Sequence, residues 1–405
     1  MEQYLVDGEW IDSIELKCLV VSKGVKVDRK VYKAFSPTHR LYTNPLTCNC
    51  IFFPDDTIAQ MTDMGFHLSH LSGSLSWDNL KLLRYASQLT TPFTIRLDGN
   101  DAVLYHKNEP VCPVAFPEKS AFYQQKTASG MPYIGNAVIQ GVDWVAFQCL
   151  WPCEYAAAGK PCEFCFSGAE FQSCAIKNKP MPRVPSPEDV GEIVGYAMSK
   201  AGCNSVQITG GSTFQSEVEE KYITSYLEAI ERIAGHDAVT GELLLYITPP
   251  DQTNVIDRYF QLGANRIACS LEIWDEERAK IITPGKIAYT TRERHLSALS
   301  YIAERYGPAK AFSNLIIGIE DFDTLQTGAT YLAQRGILPT ASIWMPFGRP
   351  VMGNMQAPGV DYYRRVKELF AELYTRYQLE PPATRGLNVC MERDIWRYAQ
   401  NVPVH

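Results

Sequence analysis

From residue 142 onward, apolar segments of strand length alternate with segments of helical periodicity, and this pattern constrains the fold most strongly. The predicted strands are Trp144–Gln148, Ser205–Thr209, Leu243–Thr248, Arg266–Leu271, Ala311–Ile317 and Thr340–Met345. Helices are predicted after them, near Pro187–Ala201, Glu217–Ala234, Thr253–Leu262, Arg292–Tyr306, Phe322–Gly336 and Asp361–Tyr377. Apolar strands that alternate with helices predict a parallel sheet covered by helices. Six units are two fewer than a full eight-fold barrel needs, so we predict an α/β fold with a partial (β/α)6 barrel.

The rest of the chain is divided around this repeat. Residues 1–138 mix short β-like runs with polar turns and one helical stretch near Asp78–Leu89, which predicts a small N-terminal α+β domain of unknown role. Residues 139–350 would form the barrel, and residues 351–405 a C-terminal helical extension.

Composition excludes several classes of function. The chain has 405 residues, of which 46% are hydrophobic and 20% charged, as in ordinary globular proteins. A net charge of −7 argues against a nucleic-acid partner. No run approaches the roughly 18 apolar residues of a membrane span, and the acidic, polar N-terminus is unlike a secretory signal. We therefore expect a cytoplasmic protein without a nucleic-acid or membrane partner, and the sequence leaves its oligomeric state open.

Four of the twelve cysteines lie in one short segment directly after the first predicted strand: Cys149, Cys153, Cys162 and Cys165. Sites in such folds occupy the carboxyl ends of the strands, so a cofactor is expected here. Thiolates at this density suit an iron–sulfur cluster or zinc. Four thiolates could also form a closed structural zinc site, and the chain would then be a binding or scaffold protein.

The cysteine segment resembles that of the radical S-adenosylmethionine (radical SAM) superfamily, similar to the barrels of biotin synthase and the hydrogenase maturases. The usual motif there is CxxxCxxC with an aromatic residue before the last cysteine, and Cys162-Glu163-Phe164-Cys165 matches its second half. The first half is longer, because eight residues separate Cys153 from Cys162 and twelve separate Cys149 from it. The resemblance implies that Cys153, Cys162 and Cys165 hold a [4Fe–4S] cluster, with Cys149 as the alternative first ligand.

Further segments resemble the family in the same order along the chain. The turn from Gly210 to Thr213 follows the second strand, where the family binds the amino group of S-adenosylmethionine (SAM), and glycines permit close backbone approach. Ser212 replaces the usual acid. Glu272 would bind the SAM ribose or amino group, and Arg294 its carboxylate. The implied SAM-binding residues are Phe164, Gly210, Gly211, Ser212, Thr213, Glu272, Arg294, Ile317 and Met345.

The resemblance also implies a chemistry. A reduced cluster would cleave SAM to methionine and a 5′-deoxyadenosyl radical, which removes hydrogen from a small molecule or a modest peptide in a biosynthetic pathway. An electron donor such as flavodoxin or ferredoxin would be needed. Rearrangement, C–C bond chemistry and group insertion stay open, and a degenerate fold that no longer cleaves SAM is the other alternative. Candidate substrate contacts are Tyr155, Gln207, Tyr246, Thr248, Trp344 and Arg349.

Overall fold

The computed structural model describes residues 2–41, 50–62, 91–150, 153–165, 184–235, 237–345, 352 and 355–401. The helix predicted near Asp78–Leu89 and the candidate contact Arg349 lie outside these ranges. None of the helices within the ranges is long and apolar enough to cross a membrane.

The N-terminal part contains helices and small sheets. Its elements are β1 (Gln3–Val6), β2 (Glu9–Asp12), α1 (Ser13–Lys23), β3 (Lys26–Val27), α2 (Arg29–Phe35), β4 (Cys50–Phe52), β5 (Ile58–Gln60), β6 (Phe93–Asp98), β7 (Asp101–His106) and β8 (Glu109–Val114). Strands β3, β6, β7 and β8 form one sheet in that order, which is antiparallel except for the parallel pair β3–β6, and β1–β2 and β4–β5 are hairpins. Helix α1 begins at Asp12 because the Asp12 side chain accepts hydrogen bonds from the backbone of Ile14 and Glu15.

A seven-stranded sheet follows. Its elements and their helices are β9 (Ala137–Gln140), β10 (Trp144–Gln148), α3 (Glu154–Ala157), α4 (Pro187–Lys200), β11 (Ser205–Thr209), α5 (Ser216–Ala229), β12 (Leu243–Tyr246), α6 (Thr253–Gln261), β13 (Arg266–Ala268), α7 (Glu276–Ile282), α8 (Arg292–Tyr306), β14 (Ala311–Ile317), α9 (Phe322–Ala333), β15 (Leu338–Ile343), α10 (Val360–Arg376) and α11 (Glu392–Asn401).

The order of these strands in the sheet is that of a barrel cut open. Strands β9 to β15 lie in chain order, β10 to β15 are parallel, and β9 adds an antiparallel edge that the sequence pattern did not predict. The bounds of β10, β11 and β14 are those predicted, and the other three parallel strands differ by two or three residues. The fold is therefore an α/β partial barrel.

The two faces of the curled sheet differ in polarity, because alternate residues of a strand point to opposite faces. On β12, Leu245 lies in the main hydrophobic core, whereas Tyr246 lines a cavity on the inner face of the sheet. The space that this inner face surrounds is here called the lumen, and the cavity is one part of its border. On β14, Ile317 lies in the main core, and the Asn314 side chain is hydrogen-bonded to Tyr246. The strands thus carry apolar residues toward the helices and hydrogen-bonding residues toward the lumen.

The C-terminal segment 384–391 covers the free edge of β15 and reaches the start of β10. At one end, the Ile343 backbone N–H donates to the carbonyl of Val389 over 2.8 Å. At the other, the Thr384 hydroxyl donates to Asp143 over 2.7 Å. Residues distant in the chain therefore link the two sides of the partial barrel.

Helix α1 supports this segment from outside through one buried lysine. The ammonium of Lys17, whose side chain is fully buried, lies 2.7 Å from the carbonyls of Leu387 and Cys390 and 2.7 Å from Asp394. Because a buried ammonium needs such partners, the N-terminal part and the end of the chain are packed together as one unit.

Candidate active site

Three of the four clustered cysteines share one neighbourhood. Cys153, Cys162 and Cys165 are partly exposed. The backbone N–H of Cys165 donates to the carbonyl of Cys162 over 3.1 Å, which closes a tight turn. Burial raises the pKa of the Cys162 thiol, and negative charge on Cys165 and Cys153 raises it further. This mutual influence places the three thiols in one electrostatic environment.

Cys149 is buried in the main core, where its sulfur would lie 3.1 Å from a Cβ atom on Gly210. It is fully buried, and its backbone N–H extends the sheet by donating to the carbonyl of Thr209 over 2.7 Å. Burial raises the pKa of its thiol. In the described ranges, no three His, Cys, Asp or Glu side chains are arranged to hold a single metal ion. Cys149 thus differs from the other three thiols in being fully buried.

The glycines after β11 admit the cysteine loop. A Cβ atom on Gly211 would lie 2.6 Å from Cys153 Cα and 2.7 Å from Cys153 Cβ, which no side chain can tolerate without movement. A Cβ atom on Gly210 would lie 2.9 Å from the backbone nitrogen of Leu150. The close approach expected here is therefore made, among the described residues, by Cys153 at Gly211 and by Cys149 and Leu150 at Gly210.

Hydrogen bonds hold this turn against the loop. The backbone N–H of Ser212 points to the Cys153 sulfur at 3.4 Å, and the Ser212 carbonyl accepts from the backbone of Glu154 at 2.8 Å. The Glu154 carboxylate accepts from the Thr213 hydroxyl at 2.9 Å and from the Phe214 backbone at 2.6 Å. The Thr213 hydroxyl is thus occupied by a side chain of the loop.

A cavity of about 130 Å³ adjoins the turn on the lumen side. Most of its walls are strand ends and the loops that follow them, as expected for an α/β site. It is lined by Thr209, Gly210, Gly211, Ser212, Glu219, Tyr246, Ile247, Thr248, Ala268, Ser270, Glu272, Lys286, Thr290 and His295.

Glu272 forms a buried ion pair on the cavity wall. Its Oε1 lies 3.0 Å from Nζ of Lys286, which also donates to the carbonyl of Ser270 over 2.6 Å. Glu272 has a φ of 70°, a conformation that costs a residue other than glycine on the order of 1–3 kcal/mol. Such strain is retained where surrounding contacts enforce it, and here Glu272 bridges to Leu315 of β14.

Glu219 is a second buried carboxyl group in the cavity. It is 4% exposed, and its Oε1 accepts from the backbone N–H of Thr248 over 3.1 Å. Burial raises its pKa to about 8, so the folded protein favours the neutral acid at neutral pH. The positive charge of Arg294 opposes this shift.

Arg294 is held at the border of the site. Its Nη1 lies 2.7 Å from Asp251, and its buried Nε has no hydrogen-bond partner in the described part of the chain. The neighbouring His295 lines the cavity, donates from Nδ1 to the carbonyl of Thr291 over 2.8 Å, and is kept neutral because burial lowers its pKa to about 3. The only full positive charge on the cavity wall, among the described lining residues, is Lys286.

The proposed substrate contacts fall in different places. Tyr246 and Thr248 line the cavity. The hydroxyl of Tyr155 lies 2.5 Å from that of Thr290, which belongs to the cavity wall. Gln207 is partly exposed on β11 and pairs with Leu244.

Two of the remaining predicted residues, Trp344 and Phe164, are found at a second, smaller apolar cluster. Trp344 is 3% exposed and belongs to this cluster together with Ile316. Phe164 of the cysteine loop packs against the cluster. Ile317 and Met345 belong instead to the main core. On β14 it is therefore Ile316, one position before the predicted residue, that belongs to the cluster against which Phe164 packs.

Sequence reasoning missed Glu154, Glu219 and Lys286. Lys286 follows the Thr-Pro-Gly turn at residues 283–285, and Glu219 lies in the first turn of an exposed-looking helix, so neither differs locally from a surface residue. Only the cavity that both line marks Glu219 and Lys286 as site residues. Glu154 is marked instead by its hydrogen bonds to Thr213 and Phe214.

The sequence profile of the radical SAM superfamily matches residues 157–327, which include Cys162, Cys165 and every residue that lines the cavity. The chain therefore contains a radical SAM domain, residues 157–327. It is accordingly a radical SAM enzyme, and its cofactors are a [4Fe–4S] cluster and SAM.

Individual radical SAM proteins show more distant similarity. Bacteriochlorophyllide c C-7(1)-hydroxylase of Chlorobaculum limnaeum is 22% identical over 303 residues, which cover 71% of this chain and 74% of that protein. Methylornithine synthase superposes with a TM-score of 0.39 and 14% identity, over 60% of this chain and 77% of that one. Coproporphyrinogen III oxidase of Escherichia coli gives 0.33 and 14%, over 47% of this chain and 45% of that one.

Proposed function

We propose that Cys153, Cys162 and Cys165 hold the cluster and that Cys149 is not a ligand. The observation that carries this proposal is that Cys153 lies against the Gly211–Ser212 turn and is partly exposed, as are Cys162 and Cys165, while Cys149 is fully buried in the core. Three thiolates suit a cluster that keeps one iron open. The same observation disfavours the four-thiolate zinc site, because the fourth thiol is fully buried in the core.

The charged cavity beside these thiols would bind SAM. The carboxyl groups of Glu219 and Glu272 can accept hydrogen bonds from an ammonium group, and Lys286 can bind a carboxylate. The buried Nε of Arg294 is a further donor that needs an acceptor. When bound, the reduced cluster and SAM supply a carbon-centred radical that removes a hydrogen atom from substrate.

The substrate would occupy the lumen next to the cavity. Tyr246, Asn314 and Thr340 form a chain of hydrogen bonds there, since Tyr246 is bonded to Asn314 and the Thr340 hydroxyl donates to the same amide. These groups are uncharged, so they would orient hydroxyl, carbonyl or amide groups of a small molecule. Reduction of the cluster would need an electron donor such as flavodoxin or ferredoxin.

A narrower candidate is oxidation of an unactivated C–H bond of a tetrapyrrole. The match that supports it is to a hydroxylase whose name specifies bacteriochlorophyllide c, and it spans 71% of this chain. Anaerobic incubation with SAM, dithionite and a deuterated chlorophyllide should then place deuterium in 5′-deoxyadenosine. If 5′-deoxyadenosine is released but carries no deuterium from the chlorophyllide, this substrate class is excluded. The proposal that the substrate occupies the lumen would then still stand.

Alanine substitution of each cysteine tests the ligand assignment. After anaerobic reconstitution, C153A, C162A and C165A should lose bound iron, visible absorbance and SAM cleavage, whereas C149A should retain all three. Retention by C153A and loss by C149A would exchange the first ligand. A colourless wild-type protein with one zinc per chain would overturn the whole proposal.

A further inference from the structure

The segment that carries Lys286 is packed along the cysteine loop. The carbonyl of Ile282 accepts from the backbone of Glu163 at 2.9 Å, and Thr290 contacts Tyr155 at 2.5 Å. Between them, a Cβ atom on Gly285 would lie 2.5 Å from the carbonyl oxygen of Lys160. Contacts on both sides therefore hold Lys286 next to the loop that bears Cys162 and Cys165.

The backbone in this segment is a π-helix, Lys286–Thr290, a widened turn that proteins retain mainly at functional sites. It directs the Lys286 side chain to the Ser270 carbonyl and to Glu272. Only 20% of the Lys286 side chain and 13% of the Glu272 side chain are exposed. Solvent therefore screens their charges weakly, and the charges act on their surroundings more strongly than surface charges do.

Geometry places both charges beside the cysteines. Glu272 and Lys286 line the same cavity as Ser212, whose backbone N–H points to the Cys153 sulfur at 3.4 Å. On the other side, the segment that leads to Lys286 is hydrogen-bonded to Glu163, which lies between Cys162 and Cys165 in the chain. The ion pair is therefore held next to the loop that bears the proposed cluster ligands.

We propose that the buried Lys286–Glu272 pair sets the reduction potential of the iron–sulfur cluster, with Lys286 raising it and Glu272 lowering it. The physical reason is that reduction adds one electron, which a nearby cation stabilises and a nearby anion destabilises. The electron comes from an external one-electron donor, and no bond is made or broken in this step. Lys286 would thus act on the cluster through its charge and not as a ligand. The inference rests on the ligand assignment proposed above.

The test is a redox titration of reconstituted protein without SAM, followed by electron paramagnetic resonance. K286M should shift the midpoint potential to a more negative value, and E272Q should shift it to a more positive one. The double variant K286M/E272Q should return close to the wild-type value, and K286R should stay there because it keeps the charge. A purely structural role would not produce shifts of opposite sign.

The matched control is K280M. Lys280 and Glu277 form a similar pair at 2.5 Å on α7, but their side chains are 53% and 81% exposed. K280M changes the net charge by the same amount, and it should leave the midpoint potential unchanged because solvent screens that site.

The outcomes separate this inference from the proposed function. Shifts of the same sign in K286M and E272Q, or a K286M shift no larger than that of K280M, would overturn it. If K286M holds no cluster, E272Q decides: a positive shift supports the inference, and a negative or absent shift overturns it. A wild-type protein that binds no cluster would refute the proposed function instead.

Discussion

Gly211→Ala tests the contact on which the cysteine loop depends. The added Cβ atom would lie 2.6, 2.7 and 2.8 Å from the Cα, Cβ and backbone nitrogen of Cys153. Overpacking of this kind costs about 1–3 kcal/mol, and we expect the upper end because backbone atoms cannot rotate away. The alternative to that cost is displacement of Cys153, which would remove a proposed cluster ligand.

The assay has two parts, urea denaturation of the cluster-free protein and iron content after anaerobic reconstitution. G211A should lower the free energy of unfolding by about 3 kcal/mol and reduce bound iron. G210A, with its nearest contact at 2.9 Å, should do less. G359A is the control, because a Cβ atom there meets nothing within 4 Å and φ is −74°. If G211A has the same free energy of unfolding as G359A and binds as much iron as the wild type, the argument that Cys153 packs against Gly211 is refuted.

Two further predictions concern buried charges. K17M should lower the free energy of unfolding by about 3–5 kcal/mol, because it leaves Asp394 buried without its cation; a urea midpoint as unchanged as that of the exposed variant K280M would contradict this. The pKa of Glu219 rises from 4.5 to about 8 on folding, so the folded state holds a proton that the unfolded chain releases between these values. Stability should therefore fall as pH rises through this window, by at most about 1.4 kcal/mol per pH unit. E219Q should lose that part of the slope, and parallel wild-type and E219Q curves of unfolding free energy against pH would refute it.

Much of the barrel could be predicted because its strands are marked by local apolar runs. Strands β10, β11 and β14 have the predicted bounds, and the cysteines follow the first of the parallel strands. The antiparallel edge β9 and the pairing of residues 384–391 with β15 could not be predicted. They depend on contacts between distant segments, for which single-strand periodicity carries no signal.

The site was predictable in chemistry and less so in arrangement. The motif Cys162-Glu163-Phe164-Cys165 pointed to the cofactor, but the choice between Cys149 and Cys153 stayed open in the sequence. The structure supports our proposal of Cys153, because Cys149 is fully buried where it extends the sheet, whereas Cys153 is partly exposed.

The sequence by itself determined the alternation of strands and helices and the presence of a thiolate loop, because both follow from the spacing of residues that are close in the chain. Tertiary structure alone decided which groups meet. Glu272 and Lys286 pair across 14 positions, and Lys17 and Asp394 across 377. Such pairs depend on how the chain folds back on itself in three dimensions. In this protein the first pair brings two charges to the wall of the cavity, and the second joins α1 to the end of the chain.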